Sequence, residues 1–379
     1  MKRFDLANAS EFETIANQKL TNAGAAPSAF SDPTIATSGS TDWQKYLFRK
    51  GKFSNYNINL SGASESTNYY FSVGYQKQES NVIANDYERF SFRNSLDHRF
   101  NKFLKFGVTS AYTRGVTNGL NTGTNALSGN IAGGIRAFPN VTVYDINNPT
   151  GYNISSDGQA LGPGANTRAI TSSWTNQGFV LANNKFLSTS DRLQSTIYGQ
   201  ADIIEGLALK TQFGVDYLGN KDFQRLDPRH GDGRGSNGFI FNQFRTLTRW
   251  NWQNTLAYNK DFGAHNFDAV VGLEYQKTVT EAFNGQGTSF ADRFFMANGL
   301  ISGSYANQFS GGTYIPSSFQ STFGRLNYSY SDKICLDSVS GVMVSQIWIQ
   351  RIVMVLFGEF QPDGAFPRRI SSSTPQSAV

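Results

Sequence analysis

The chain has 379 residues with a formal net charge of +5, and its composition excludes several classes of function. Basic residues are spread along the sequence rather than clustered, so nucleic-acid binding is not indicated. A single cysteine, Cys335, excludes an intrachain disulfide and a multi-cysteine metal site. The chain contains 37 Gly, 31 Phe and 17 Tyr, yet its mean hydropathy is negative. A transmembrane β-barrel has this balance, because its outside is apolar and its lumen is polar.

Residues 1–53 are predicted to be an irregular lead-in to a sheet. The opening residues, Met1 to Leu6, lack the apolar stretch of a secretory signal. If the protein is exported, its export signal lies outside this sequence. We therefore expect the chain to be an internal fragment of a longer protein.

Residues 54–333 show a period-2 alternation of apolar and polar side chains, which predicts an all-β, antiparallel sheet. In the clearest segment Leu209, Phe213 and Val215 alternate with Gln212 and Asp216. About nine strands are predicted, joined alternately by short turns and long loops. Their ranges are 54–61, 67–78, 87–100, 103–114, 190–204, 207–218, 243–260, 265–279 and 321–331. Neighbours joined by such short turns must be antiparallel and in up-and-down order, because a crossover needs a longer connection.

A one-sided sheet of a soluble protein shows the same alternation, so strand and loop lengths decide between the two. Several predicted strands have about ten or more residues, which is the length that a tilted strand needs to cross a bilayer. The long connections, 115–189, 219–242 and 280–320, all lie at one end of the predicted strands. The sequence therefore predicts part of an up-and-down transmembrane β-barrel with long extracellular loops.

The alternation also assigns side chains to the two faces of the predicted sheet. Seven apolar residues are expected on the convex, lipid-facing side: Phe71, Val73, Leu209, Phe213, Val215, Val271 and Leu273. Five polar residues are expected on the concave side: Lys210, Gln212, Asp216, Asp268 and Glu274.

No arrangement of residues in the sequence points to catalysis, a metal or a cofactor. His98, His230 and His265 are scattered and show no ligand spacing. The chain is therefore not expected to be an enzyme. Binding residues are sought in the predicted long loops, where aromatic rings can stack on a sugar. Three aromatic residues are the candidates for binding substrate: Trp174, Phe239 and Tyr314.

Three stretches resemble the early barrel strands of SusC/RagA-like TonB-dependent outer-membrane transporters. They read RFDLANASEF, TDWQKYLFRKGKFSNYNINLSGASESTNYYFSVGYQKQES, which begins with the signature Thr41 to Gln44, and YERFSFRNSLDHRFNKFLKFGVTSAYTR. A fourth stretch, RLNYSYSDK, resembles a later strand and its periplasmic turn. The resemblance implies a larger barrel of about 22 strands, closed by a plug domain. It also implies TonB-driven import of a large nutrient, an oligosaccharide or a peptide, across the outer membrane. The implied partners are a SusD-like surface lipoprotein, the TonB complex, which would act through a plug region not included in this sequence, and outer-membrane lipid.

A passive porin-like or adhesin-type barrel is the alternative, and a plug domain encoded upstream would distinguish the two. Both readings place the protein in the outer membrane. The truncated chain alone is expected to be insoluble and not to close into a barrel, because unpaired edge strands are not viable in hydrocarbon.

Residues 334–379 lose the alternation and the resemblance, and are predicted to be an aberrant tail. A nucleotide sequence that encodes Phe360 to Ser373 can be read in another frame as SAGWRFSEENFFK, which resembles a later strand of the family. We therefore expect a frameshift near Ile334, followed by a disordered or poorly packed stretch. Cys335 would then have no selected function.

Overall fold

A computed structural model describes residues 3–28, 40–119, 130–162, 174–291, 305–331, 334–345 and 353–359. These ranges contain one antiparallel sheet of eleven strands, and each strand pairs with the next in the sequence. The strands are β1 Lys52–Ala63, β2 Thr67–Glu79, β3 Asp86–Arg99, β4 Leu104–Asn118, β5 Lys185–Ile204, β6 Leu207–Leu226, β7 Phe239–Phe262, β8 His265–Phe290, β9 Tyr305–Tyr330, β10 Ile334–Ser345 and β11 Val353–Glu359. The order and the antiparallel pairing predicted for the first nine strands are confirmed.

Several strands continue well beyond their predicted ends. β8 reaches Phe290 and β9 begins at Tyr305, so most of the predicted loop 280–320 is a long hairpin. Phe239 begins β7 and Tyr314 lies within β9, so placing these two residues in loops was wrong. The alternation arises only where one face of a strand is apolar. Strand segments outside the bilayer contact water on both faces and leave no such pattern.

The sheet also continues past Lys333, where the sequence predicts an aberrant tail. β10 pairs with β9 from Ile334 opposite Tyr330 to Ser345 opposite Phe319. The described sheet therefore has two strands in addition to the nine predicted, and the aberrant character of residues 334–379 stays a prediction. The unpaired edge of β9 offers backbone groups that any segment rich in Val and Ile can pair with. The frameshift itself stays a prediction, and residues 346–352 and 360–379 lie outside the described ranges.

The strand register separates an apolar face from a polar face, because directly paired residues point to the same side of a sheet. Ile197, Phe213 and Trp252 are paired across β5, β6 and β7, and Ile58 is paired with Val73. The two sets of residues predicted for the convex and concave sides do lie on opposite faces. Outward apolar side chains are largely uncovered by the rest of the protein: the exposed fraction is 77% for Ile58 and 58% for Val271.

Glycines show that the sheet is crowded on its polar face. A Cβ atom added at Gly107 would lie 2.2 Å from the ring of Tyr198, and one at Gly272 would lie 2.2 Å from the ring of Phe323. On the apolar face, a Cβ at Gly199 would have its nearest neighbour 3.9 Å away. The rings of neighbouring strands thus cover these two glycines of the polar face. In a barrel the polar face is the concave one, and the long connections extend from one end of it.

Helices and a buried core lie at this long-loop end. The helices are α1 Ala9–Asn22, α2 Trp43–Leu47, α3 Asn130–Arg136 and α4 Gln177–Asn183, with a 3-10 turn at Gly231–Gly233. We call the described residues 3–28, 40–51, 130–162, 174–184 and 227–238 the loop layer. The lead-in was predicted to be irregular, but α1 forms there because Asn8 and Glu11 cap its first turn reciprocally. None of the helices in the described ranges has the length and apolar character required to span a bilayer.

Candidate functional site: the polar face and the loop layer

One group of hydrogen-bonded side chains lies on the polar face toward the short-turn end of the sheet. The hydroxyl of Tyr198 on β5 donates to Oδ1 of Asp97 on β3 at 2.6 Å, passing over Gly107 of β4. The ammonium of Lys210 lies 4.6 Å from the centre of the Tyr198 ring. Because the ring is held at both its hydroxyl and its face, this part of the wall is preorganised.

A second group, of charged residues, lies on the polar face nearer the long-loop end of the sheet. Arg192 binds Asp216 through two hydrogen bonds, of 3.0 Å from Nε and 2.9 Å from Nη2. Arg93 and Arg249 line the same shallow cavity of about 390 Å³, together with amide and hydroxyl side chains. This part of the wall has closely spaced hydrogen-bond donors and acceptors and side chains of both charges. It suits a solute rich in hydroxyl or amide groups.

The Thr41 to Gln44 motif, which carries part of the family resemblance, builds the loop layer. Asp42 caps α2 by accepting from the backbone N–H of Lys45 at 2.8 Å. Trp43 is 3% exposed, and its Nε1–H donates to the carbonyl of Phe138 at 3.0 Å. The side chain of Gln44 binds both backbone groups of Phe4. The motif is therefore structural, joining three segments far apart in sequence.

His230 joins the β6–β7 connection to two parts of the β4–β5 connection. Its Nδ1–H donates to the carbonyl of Gly158 at 2.8 Å, and its Nε2 accepts from the backbone N–H of Asn176 at 2.8 Å. Both contacts require the neutral ring, with its proton on Nδ1. Burial lowers the pKa of His230, and the nearby guanidinium of Arg234 acts in the same direction.

Asn176 and Asp227 complete this buried polar junction. The amide nitrogen of Asn176 donates to the carbonyls of Val143 and Asn153, while its oxygen caps α4. The buried carboxylate of Asp227 accepts two hydrogen bonds from Arg229, each 2.9 Å long. No periodic pattern in the sequence predicts that these residues are buried together. The one local signal is the capping position of Asn176, directly before a short apolar helix.

A polar cleft of about 970 Å³ opens beside this junction. It lies between the segment 145–162 and the β6–β7 connection, and its lining includes Asp145, Asn148, Asp157, Arg229 and Arg234. Nε of Arg234 donates to the backbone carbonyl of Asp157 at 2.6 Å, bridging the two sides of the cleft. The cleft presents amide, carboxylate and guanidinium groups to a solute approaching from the loop side.

The structure places the three predicted binding aromatics in three different settings. Trp174 packs on the buried core of the loop layer, and the guanidinium of Arg136 lies 5.1 Å from the centre of its ring. Phe239 lies on the polar side of β7, in register with Leu226. Tyr314 is 63% exposed, and its pairing with Glu281 puts it on the apolar side of the sheet.

In the part of the chain that the structure describes, no group of three or more His, Cys, Asp or Glu residues is placed to hold a metal ion. His98 and His265 lie beside short turns. His98 forms a 2.8 Å hydrogen bond with Thr67, and His265 one of 2.7 Å with Tyr328.

Comparison with known proteins gives a consistent picture. The TonB-dependent receptor P3 of Formosa agariphila is 29% identical over 344 residues, which cover 87% of this chain and 31% of that protein. The TonB-dependent receptor SusC of Bacteroides thetaiotaomicron is 25% identical, covering 86% of this chain and 32% of that protein. The chain thus spans about a third of the length of the curated relatives it matches. No family model matches the chain.

Solved structures confirm the fold. The RagAB peptide importer in its open-open state has a TM-score of 0.65 and 20% identity, over 84% of this chain and 34% of that one. A second RagAB structure, of the peptide transporter, gives a TM-score of 0.62. The chain is therefore part of an outer-membrane β-barrel and a relative of the SusC/RagA-like TonB-dependent receptors.

Proposed function

We propose that this chain forms part of the wall and the loop end of a TonB-dependent importer, which takes up a large polar nutrient across the outer membrane. The observation that carries the proposal is the combination of a polar concave face with a folded loop layer at one end. A lumen lined by paired side chains such as Arg192 and Asp216 offers hydrogen-bonding groups along a path for a polar solute.

An oligosaccharide or a peptide is the proposed substrate class. The cleft beside Arg229 and Arg234 has room for several residues of such a polymer, at about 970 Å³. Its mixed amide, carboxylate and guanidinium lining can bind hydroxyl groups as well as peptide groups. The related RagAB is described as a peptide importer, which supports the second class.

The proposed partners are a plug domain, the TonB complex and a SusD-like surface lipoprotein. Energised import requires a plug that TonB can pull, and the polar wall around Arg93 and Arg249 offers charged groups for it to contact. The lipoprotein would sit on the loop layer, whose buried core gives it a fixed surface. The relatives are named TonB-dependent receptors, which supports energised import over a passive porin-like or adhesin-type barrel.

Among the predicted binding aromatics, we propose the largest role for Phe239. It lies on the polar side of β7, toward the solute path, whereas Tyr314 faces outward. Trp174 already stacks with Arg136, so we propose that it holds the loop layer and contacts substrate only at its edge. Replacing Phe239 by Ala should weaken substrate affinity by about 1 to 3 kcal/mol, a range typical of a stacking contact.

Uptake by intact cells tests the proposal. Cells with and without the gene are given a labelled oligosaccharide or peptide mixture, in the presence and absence of a protonophore. Accumulation should require the gene and should stop when the protonophore is added, because TonB uses the proton gradient of the inner membrane. Gene-dependent entry that is indifferent to the protonophore would instead identify a passive pore.

A further inference from the structure

A cationic groove lies on the outer face of the sheet, toward the long-loop end, where neither the lumen nor the loop layer uses it. The groove has a volume of about 250 Å³ and crosses four strands, from Arg114 on β4 to Phe244 on β7. Its remaining lining residues are Leu187, Thr189, Asp191, Tyr217, Gly219, Lys221 and Phe223.

The register places this groove on the outer face. Arg114 pairs with Asp191, Asp191 pairs with Gly219, and Lys221 pairs with Phe244. Lys221 and Gly219 are separated from Phe213 by even numbers of residues on β6, so all three point to the same side. That side is the apolar face, which meets lipid.

The groove lies at the height of lipid headgroups. The outward residues of β6 form a largely apolar run from Leu207 to Tyr217, which ends at Gly219 and Lys221, so Phe213 is near the middle of this apolar band. Lys221 is eight positions further on, which is about 20 Å along the membrane normal for a rise of about 3.3 Å and a tilt of about 40°. The hydrocarbon core extends only about 15 Å from its middle. Because the long loops of such barrels are extracellular, this is the outer leaflet.

The groove has an excess of positive charge that the chain does not neutralise. Arg114 lies 3.5 Å from the carboxylate of Asp191, which also accepts a 2.6 Å hydrogen bond from Tyr112. In the part of the chain that the structure describes, no side chain pairs with the ammonium of Lys221. A third cation, Lys185, lies 5.9 Å from the ring centre of Phe223 at the upper edge.

Gly219 leaves room for the side chain of Tyr217 between the cations. A Cβ atom there would lie 2.8 Å from the hydroxyl of Tyr217, whose side chain folds over the glycine. The floor of the groove thus carries a hydroxyl donor between a guanidinium and an ammonium. Aromatic rings at its sides can lie along the apolar part of a lipid, as the interfacial rings of barrels do.

We propose that this groove binds the phosphate of an anionic lipid in the outer leaflet, with Arg114 and Lys221 as its two cationic contacts. Arginine and lysine together recognise phosphate through a planar donor fork and a point charge. The rings of Phe223 and Phe244 then contact the glycerol or sugar part of the headgroup and the start of its chains. The bound lipid seals β4 to β7 at the membrane surface.

Native mass spectrometry of the full-length protein tests the proposal. The protein is released from nanodiscs of equal parts phosphatidylglycerol and phosphatidylcholine, and the retained lipid is counted. Wild type should retain phosphatidylglycerol in preference to phosphatidylcholine. Each of Arg114→Gln and Lys221→Gln should lower this preference about fivefold, the effect of one interfacial charge. Arg114→Lys with Lys221→Arg keeps both charges and should keep most of the preference.

Lys277→Gln is the control, because Lys277 is also an outward cation, in register with Trp250 of β7, but lies outside the groove. It should leave the preference unchanged. An equal loss in Lys277→Gln, or an unchanged preference in the Arg114→Gln and Lys221→Gln double variant, would overturn the proposal. A double variant that changes only the oligomeric state would show a protein contact instead. Proton-coupled uptake is a separate measurement, so either proposal can fail alone.

Discussion

The hydroxyl of Tyr198 donates to Oδ1 of Asp97 across the whole width of β4, at 2.6 Å. This contact exists because Gly107 has no side chain. A Cβ atom at that position would lie 2.2 Å from Cε1 of Tyr198 and 2.5 Å from the carboxylate. The polar network of the wall therefore depends on this glycine.

Gly107→Ala should destabilise the barrel by about 1 to 3 kcal/mol, the usual cost of overpacking. Gly199→Ala is the matched control. Gly199 lies on the neighbouring strand β5 and on the opposite, apolar face, where the nearest atom is 3.9 Å from an added Cβ. That change should be neutral or slightly stabilising, because glycine in a strand interior is destabilising relative to alanine. Both effects can be measured by gel electrophoresis in detergent, in which the folded barrel migrates faster than the unfolded chain. The measured quantity is the temperature at which the fast-migrating band is lost. Equal shifts for the two variants would contradict the described crowding at Gly107.

Phe213→Arg should cost about 2 to 4 kcal/mol of folding stability in lipid, because the residue is near the middle of the apolar band. Gln212→Arg introduces the same side chain one position earlier, on the polar face, where the charge meets lumenal water and carboxylates. Its cost should be small. Urea titrations of the full-length protein in vesicles give both free energies. A larger penalty at Gln212 would reverse the assignment of faces.

The loop layer should loosen at acidic pH through His230. Burial lowers the pKa of this residue below its ordinary value of about 6.5. Its contribution is therefore complete above the unfolded pKa and is lost as pH falls through the folded pKa. Protonation removes the acceptor for the backbone N–H of Asn176 and places a charge in a buried site.

Hydrogen exchange of peptides from 153–162 and 174–184 measures this loosening between about pH 7.5 and about pH 5.5, after correction for the intrinsic rate. Exchange in wild type should rise on acidification. His230→Gln keeps one donor and one acceptor but cannot be protonated in this range, so its exchange should not change with pH. The same pH dependence in both proteins would show that another group is responsible.

Trp43→Ala should unfold the loop layer without removing the sheet. Truncating a buried Trp costs about 3 to 5 kcal/mol, which exceeds what this small core can lose. Trp43→Phe keeps most of the apolar volume and loses the hydrogen bond to Phe138, a cost of about 1 kcal/mol. Limited proteolysis of cells bearing the protein should cut Trp43→Ala rapidly within 130–162. Protection equal to wild type would mean that Trp43 does not hold the layer.

The wall could be predicted because its signals are local. Outward residues such as Leu209 and Phe213 alternate with inward ones, and short turns leave each strand only one neighbour to pair with. The upper strands were missed because water surrounds both of their faces, so Tyr314 looked like a loop residue. The strands after Lys333 were missed because pairing with the edge of β9 requires no alternation.

The loop layer could not be predicted, because its contacts join segments far apart in the chain. His230 meets Gly158 and Asn176 over separations of 72 and 54 residues. Scattered polar residues in glycine-rich segments carry no periodicity that would reveal such partners. The family motif around Trp43 indicated an important position, but only the structure shows that its role is packing.

A spin-label scan tests the central claim most directly, namely that this sheet is a membrane wall with lipid on one face and water on the other. Single cysteines are placed at consecutive positions from Leu207 to Phe213 in a cysteine-free version of the full-length protein, reconstituted in vesicles. Labels at Leu207, Leu209, Thr211 and Phe213 should be quenched by oxygen, and those at Ala208, Lys210 and Gln212 by a water-soluble nickel chelate. A strict period-2 alternation supports the barrel wall. Equal access of both quenchers at every position, or a helical period, would contradict it.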